Sequence, residues 1–110
     1  MPQSTTELAS RRRRLPDRRS SETFDIESQG LQFTVSASRF ADGALAEIFI
    51  TNDKAGSMAG TNAADAAVVC SIALQHGVPL DIIRRALMRD SKSMVLGPLG
   101  TALDKLAAAP

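Results

Sequence analysis

The chain has 110 residues, of which 44% are hydrophobic, and this is enough for one domain around one core. It is rich in alanine and contains no Trp and no Tyr, so we expect modest stability as a monomer. A single cysteine excludes an intrachain disulfide and a cysteine-rich metal site. No apolar run approaches the roughly 20 residues of a membrane span, and the polar N-terminus is unlike a signal peptide. We therefore expect a cytoplasmic protein without metal, cofactor or membrane association.

The net charge of +1 hides two regions of opposite sign. Residues 1–21 carry six arginines against two acids, a net charge of +4, whereas residues 22–110 carry seven basic and ten acidic residues, a net charge of −3. The first region is rich in Ser, Thr, Arg and Pro and has little to bury. We predict a basic disordered arm over residues 1–21 and a single domain over residues 22–110.

The arginines of this arm are a candidate polyanion-binding site. They are Arg11, Arg12, Arg13, Arg14, Arg18 and Arg19. Such a cluster pairs with nucleic-acid phosphates in a salt-sensitive way, but no aromatic residue lies among them to stack on bases. A solvated tail, or a strap over the acidic face of the domain itself, remains an alternative.

Alternation of apolar and polar residues predicts strands at residues 23–27 and 31–38. A turn at Gln29–Gly30 separates them, and a turn at residues 41–43 leads to a third, more buried strand at residues 45–50. Strands joined by such short turns favour an antiparallel meander.

The pattern then changes to helical spacing over residues 62–75, with Ser57, Thr61 or Asn62 as its cap and His76–Gly77 as its end. Pro79 opens a second helix, and residues 101–108 form a short third one after a loop. On the second helix we expect one apolar face and one exposed basic face. The inner residues are Ile82, Ile83, Ala86 and Leu87, and the outward ones are Arg84, Arg85 and Arg89. Strands followed by helices predict an α+β fold with two or three helices packed on one sheet face.

The loop at residues 54–61 is a candidate phosphate site. Its glycines allow a close approach of the backbone, and the start of a helix is electropositive. The residues that would bind the anion are Lys54, Gly56, Ser57 and Thr61. The spacing is not that of a Walker motif, and a flexible connection with a capped helix explains the same residues.

No catalytic residues are predicted. Cys70 and His76 do not share a helix face, because six residues separate them. A cysteine among Ala and Val is typically a small buried hydrophobe, and a histidine at a helix end interacts with the terminal carbonyls.

Three segments together resemble a known family: LPDRR at residues 15–19, DGALAEIF at 42–49 and SIALQHGVPL at 71–80. They are similar to the TSCPD domain, found beyond the catalytic barrel of cobalamin-dependent (class II) ribonucleotide reductases and in short stand-alone proteins. The reducing cysteines and cobalamin contacts of those enzymes lie in parts that these residues do not match. The resemblance therefore implies a non-catalytic accessory or regulatory module of nucleotide metabolism. A reductase-related protein or a nucleotide would then be its partner.

Two other classes stay open. One is a self-associating interaction module, and the other is a nucleic-acid binder that docks through the arm. We expect a homo-oligomer, most simply a dimer, because the third strand carries apolar residues on both of its faces. Leu45 and Phe49 lie at one parity, and Ile48 and Ile50 at the other.

Overall fold

The computed structural model describes residues 11–17, 19–54 and 56–108. Three strands form one antiparallel sheet in the order β1 (Ser21–Ser28), β2 (Leu31–Arg39) and β3 (Leu45–Asn52). Three helices follow: α1 (Met58–Gln75), α2 (Leu80–Ala86) and α3 (Pro98–Ala108). The predicted α+β meander with helices is confirmed, although α1 begins four residues earlier and α3 three residues earlier than predicted. The predicted disorder of residues 1–21 stays a prediction, since residues 1–10 and Arg18 lie outside the described residues.

One face of the sheet forms the core with the helices. The register pairs Phe24 with Val35, and Val35 with Ile50, so their side chains share one face. Helix α1 packs against β3, and α3 packs against β1. Leu103 is fully buried between these layers.

A β-bulge corrects the expectation that β3 is apolar on both faces. Ser38 pairs with Glu47 but Arg39 pairs with Leu45, so the register shifts and Leu45 joins Ile48 in the core. The opposite face of the sheet is polar. Its residues include Thr23, Asp25, Thr34, Ser36, Ser38 and Glu47. Phe49, 48% exposed, is an isolated apolar residue there. This face therefore lacks the apolar patch that we expected a second copy of the chain to cover.

The free edge of β3 is covered by side chains of α1. The hydroxyl of Ser71 accepts a hydrogen bond from the N–H of Ile48 (2.8 Å) and lies 3.0 Å from the Ile48 carbonyl. One turn later, Nε2 of Gln75 donates to the carbonyl of Ala46 at 3.1 Å. These contacts satisfy backbone groups that would otherwise template another strand.

The C-terminus of α1 has the geometry that His76–Gly77 predicts. Gly77 has φ +90°, its N–H donates to the carbonyl of Leu74, and the N–H of Val78 donates to Ala73. This pair of bonds is a Schellman motif, which requires a left-handed residue at Gly77. The chain therefore turns sharply into α2.

The predicted faces of α2 are wrong in part. Ile83 and Leu87 pack against the core, but Ile82 is 51% exposed and Ala86 is also exposed. Arg84 and Arg89 do not point into solvent, because both donate to the carboxylate of Asp104 on α3 at 2.9–3.1 Å. The core contacts of Ile83 and Leu87 therefore hold this segment together with its ion pairs to Asp104 of α3. Within the described residues, no helix is long and apolar enough to cross a membrane.

Candidate functional site

Part of the predicted phosphate loop builds the start of α1. The Ser57 hydroxyl accepts from the N–H of Gly60 at 3.0 Å, and the Ser57 N–H donates to the Lys54 carbonyl. Gly56 is required by its φ of +78°, and a Cβ on Gly60 would lie 2.8 Å from Ser57 Oγ. The structure of the helix start therefore explains why both positions are glycine. The side chains of Lys54 and Thr61 are exposed, and anion binding by this loop stays a prediction.

Arg12 and Arg13 of the arm lie against the opposite end of α1. The N–H of Arg13 donates to the Gln75 carbonyl at 2.7 Å, and Nε of Arg12 donates to Oε1 of the same residue. The side chain of Gln75 is buried and also reaches β3. One buried amide therefore joins the arm, the helix and the sheet.

Side-chain contacts of the arm reinforce this docking. The Arg13 guanidinium lies 3.8 Å from the centre of the Phe40 ring and 3.0 Å from the Asp42 carboxylate. The pKa of Asp42 is lowered by the backbone N–H of Ala44 and then by Arg13. Arg19 pairs with the buried Glu47 at 2.9 Å. The strap alternative agrees with these contacts, and Arg14 is an exposed member of the same run.

The docked arm forms one wall of a groove of about 600 Å³, which we call the arginine groove. Four guanidinium-bearing residues line it: Arg11 and Arg13 from the arm, Arg39 from β2 and Arg84 from α2. Asp81 is an acid in the same lining. The apolar residues of the lining include Phe40, Leu45, Leu74, Val78, Leu80 and Leu106.

The positions of the two domain arginines are fixed by backbone carbonyls and carboxylates. Arg39 donates to the carbonyls of Gly43 and Leu106 at 3.1 and 3.0 Å. Arg84 donates to Asp104 at 2.9 Å and lies 3.5 Å from Asp81. A guanidinium has five N–H donors, so these contacts leave donors for a bound anion. The groove can hold a molecule that has both a negative and an apolar part.

The thiol of Cys70 is buried in the core, and burial raises its pKa to about 11. It is therefore a neutral thiol at physiological pH and a poor nucleophile. The His76 ring lies 2.9 Å from the Ile72 carbonyl, as expected at a helix end. Among the described residues, no group of three His, Cys, Asp or Glu side chains has a geometry that would hold a metal ion.

The fold and the site define a small α+β domain whose one thiol is buried and whose cations surround an open groove. The chain belongs to the TSCPD domain family, whose model matches residues 5–108. It is 40% identical over 73 residues to a vitamin B12-dependent ribonucleotide reductase of Rhodopirellula baltica. The match covers 66% of this chain but 7% of that relative, so the chain spans a small part of the enzyme's length. No solved structure matches the chain.

The arm arginines were expected from the sequence, but Arg39, Phe40 and Arg84 were not. They come from β2 and α2, and no local motif joins them to the arm. One signal is present in the sequence, the Arg39–Phe40 pair directly after an alternating strand. Only the fold brings this pair to the end of α1.

Proposed function

We propose that this chain is a non-catalytic accessory module of nucleotide metabolism, which acts by binding a ligand or partner rather than by redox chemistry. Its membership of the TSCPD family and its similarity to part of a B12-dependent ribonucleotide reductase support the metabolic context. Reduction of a ribonucleotide requires a thiyl radical and a dithiol. The observation that carries the proposal is the state of Cys70, a single core thiol with its pKa raised to about 11.

Two assays on the purified chain test this proposal. Thermal-shift screening with nucleotides, deoxynucleotides and cobalamin should find a nucleotide that raises Tm, because a ligand that binds the native state stabilises it. Cys70→Ala should leave this response unchanged, since the thiol does not face the arginine groove. Turnover of a ribonucleotide in the presence of cobalamin and a dithiol, lost in Cys70→Ala, would contradict the proposal.

The second candidate function is self-association through α1 and α2. Helix α1 contains one charged residue, Asp65, in 18 positions, and such a helix is normally covered on all sides. Val69 is nevertheless 67% exposed, and it borders an apolar groove of about 510 Å³ with Ile82 and Ala73. This surface, rather than the outer face of the sheet, is the favoured interface of a dimer.

Light scattering at micromolar concentration tests the dimer. A mass near 11.7 kDa would defeat it, and twice that mass or more would support it. Val69→Asp should then weaken association. Phe49→Asp is the matched control, because Phe49 is half-exposed on the polar face of the sheet.

A further inference from the structure

We propose that the arginine groove is a binding site for a nucleoside di- or triphosphate, and that the arm and the domain build it together. This inference rests on the proposed function and gives it a ligand class and a place on the molecule. It moves the anion site from the N-terminal loop of α1, where the sequence suggested it, to the other end of the helix.

The charge of the lining favours a polyanion. Four arginines and one acid, Asp81, line the groove. Three of the arginines also pair with carboxylates outside the lining, namely Arg13 with Asp42, Arg39 with Glu22 and Arg84 with Asp104. The C-terminus of α1 contributes about half a negative charge at this place, which is smaller than the summed charge of the guanidiniums. The arm docks here through its backbone, because the N–H of Arg13 donates to the Gln75 carbonyl at the helix end. The docked arm also adds the charge of Arg11 to the lining, which an anion can neutralise.

The arginines keep donors that phosphate oxygens can use. Arg13 uses one N–H on Asp42, in a pair whose side chains are 51% and 57% exposed. Such an exposed pair contributes little and exchanges readily for a phosphate. Arg39 and Arg84 are held by Leu106 and Asp104, so their guanidiniums are already positioned for a ligand.

The apolar lining fits the nucleoside part of the same molecule. Leu45 and Leu74 are buried residues of the groove lining, and Val78 and Leu80 are partly buried ones. A volume of about 600 Å³ lies within the range of roughly 300–1,000 Å³ that small-molecule sites occupy. An inorganic anion would satisfy the arginines but leave this apolar surface in water.

The site depends on the docked arm. Arg11 and Arg13 reach the groove because the neighbouring Arg12 and the Arg13 backbone are bound to Gln75. A ligand that contacts both the arm and the domain stabilises the docked arrangement, so binding and docking reinforce each other. Nucleotide binding should therefore slow proteolysis of the arm.

Isothermal titration calorimetry of the full chain tests the assignment, with ATP, adenosine, sodium pyrophosphate and a single-stranded oligonucleotide as probes. ATP should bind more tightly than either adenosine or pyrophosphate. Arg11→Gln and Arg13→Gln should each weaken ATP binding about tenfold, the value of one charged hydrogen bond. Arg14→Gln is the matched control, since it removes the same charge from the same arm outside the groove lining. Lys54→Gln is the control for the loop at the start of α1.

Each other result has a defined meaning. Equal losses of ATP affinity in Arg11→Gln and Arg14→Gln would overturn the assignment to the groove, since they indicate diffuse attraction to the arm. A loss of ATP affinity confined to Lys54→Gln would place the anion site in the loop of residues 54–61 instead of the groove. Pyrophosphate that binds as tightly as ATP, or an oligonucleotide that binds where ATP does not, would overturn the nucleoside assignment. None of these results requires redox activity, so the accessory role itself fails only in the turnover assay with Cys70→Ala.

Discussion

The two ends of α1 differ in how they use groups that are able to bind an anion. At the N-terminus, the loop of residues 54–61 is contiguous in sequence, and Ser57 and its glycines serve the helix cap. At the C-terminus, the arm, the end of β2 and α2 come from separate parts of the chain and meet around Gln75. A motif that is visible in the sequence thus serves structure, while cations distant in sequence gather around an open groove.

The helix dipole alone would have favoured an anion site at the start of α1 rather than at its end. The start of α1 is electropositive and its end is electronegative. The arm changes the balance at the end, because the Arg13 N–H donates to the Gln75 carbonyl and Nε of Arg12 donates to the Gln75 side-chain oxygen. Local electrostatics of a helix are therefore a weak guide where a basic segment can dock against it.

Gln75→Ala should have the largest effect on the C-terminal end. The substitution leaves the buried Ala46 carbonyl without its donor and Arg12 without its acceptor, a loss of about 1–3 kcal/mol in the free energy of unfolding. Urea denaturation measures the loss, and limited proteolysis should cleave the arm faster. Gln32→Ala, on an exposed side chain of β2, is the control and should change neither. Unchanged stability and proteolysis in Gln75→Ala would show that this amide does not join the arm to the domain.

Gly77→Val tests the turn that positions α2 beside the groove. A β-branched residue at φ +90° is strained, and we expect a cost of about 1–2 kcal/mol or more. A Cβ on Gly77 would meet no other atom within 4 Å, so the cost reports backbone conformation rather than a clash. Gly97→Val is the control, because a Cβ there is equally free and its φ is not positive. Equal melting temperatures for the two variants would contradict the left-handed assignment.

Ser57→Ala tests the N-terminal end. Removing the side-chain acceptor of the cap should cost about 1 kcal/mol of stability in thermal denaturation. The affinity for ATP should stay within the error of the wild-type value, because the hydroxyl is bound to the Gly60 N–H. A loss of affinity larger than the loss of stability explains would assign the anion site to this loop.

The smallest expected effect is on the pH dependence of stability, through Asp104. Hydrogen bonds from Arg89 and then from Arg84 hold the pKa of Asp104 below its ordinary value of 3.8. The folded-state pKa is lowered, so its contribution to stability is complete above the unfolded pKa and is lost as the pH falls through the folded one. Asp104→Asn should cost less than about 1 kcal/mol near neutral pH, since the side chains are partly exposed. The difference from wild type in urea denaturation should shrink as the pH falls below 3.8, and a difference that grows on acidification would contradict this cause.

The sequence was sufficient to predict the meander, the helices and the end of α1, because each follows from local periodicity and from Gly77. It was insufficient for the face of β3, where the bulge at Ser38 and Arg39 moves Leu45 into the core. A one-residue change of register is invisible in an alternating pattern. The same holds for Asp104, whose partners lie 15 and 20 residues away.

Only part of the candidate site could be predicted from the sequence. A run of arginines is conspicuous, and its attraction to anions follows from charge alone. Which of these residues face a groove depends on docking to Gln75, a contact that spans 63 residues. No local motif joins Arg39 or Arg84 to the arm, so their place beside it required the fold.

Amide chemical shifts of the uniformly 15N-labelled chain, recorded during titration with ATP, test the central claim most directly. Binding in the arginine groove should shift Arg13, Gly77, Val78 and Leu80 most strongly and leave Lys54, Gly56, Ser57 and Thr61 nearly unchanged. The largest shifts at the loop of residues 54–61, with the end of α1 unaffected, would contradict it.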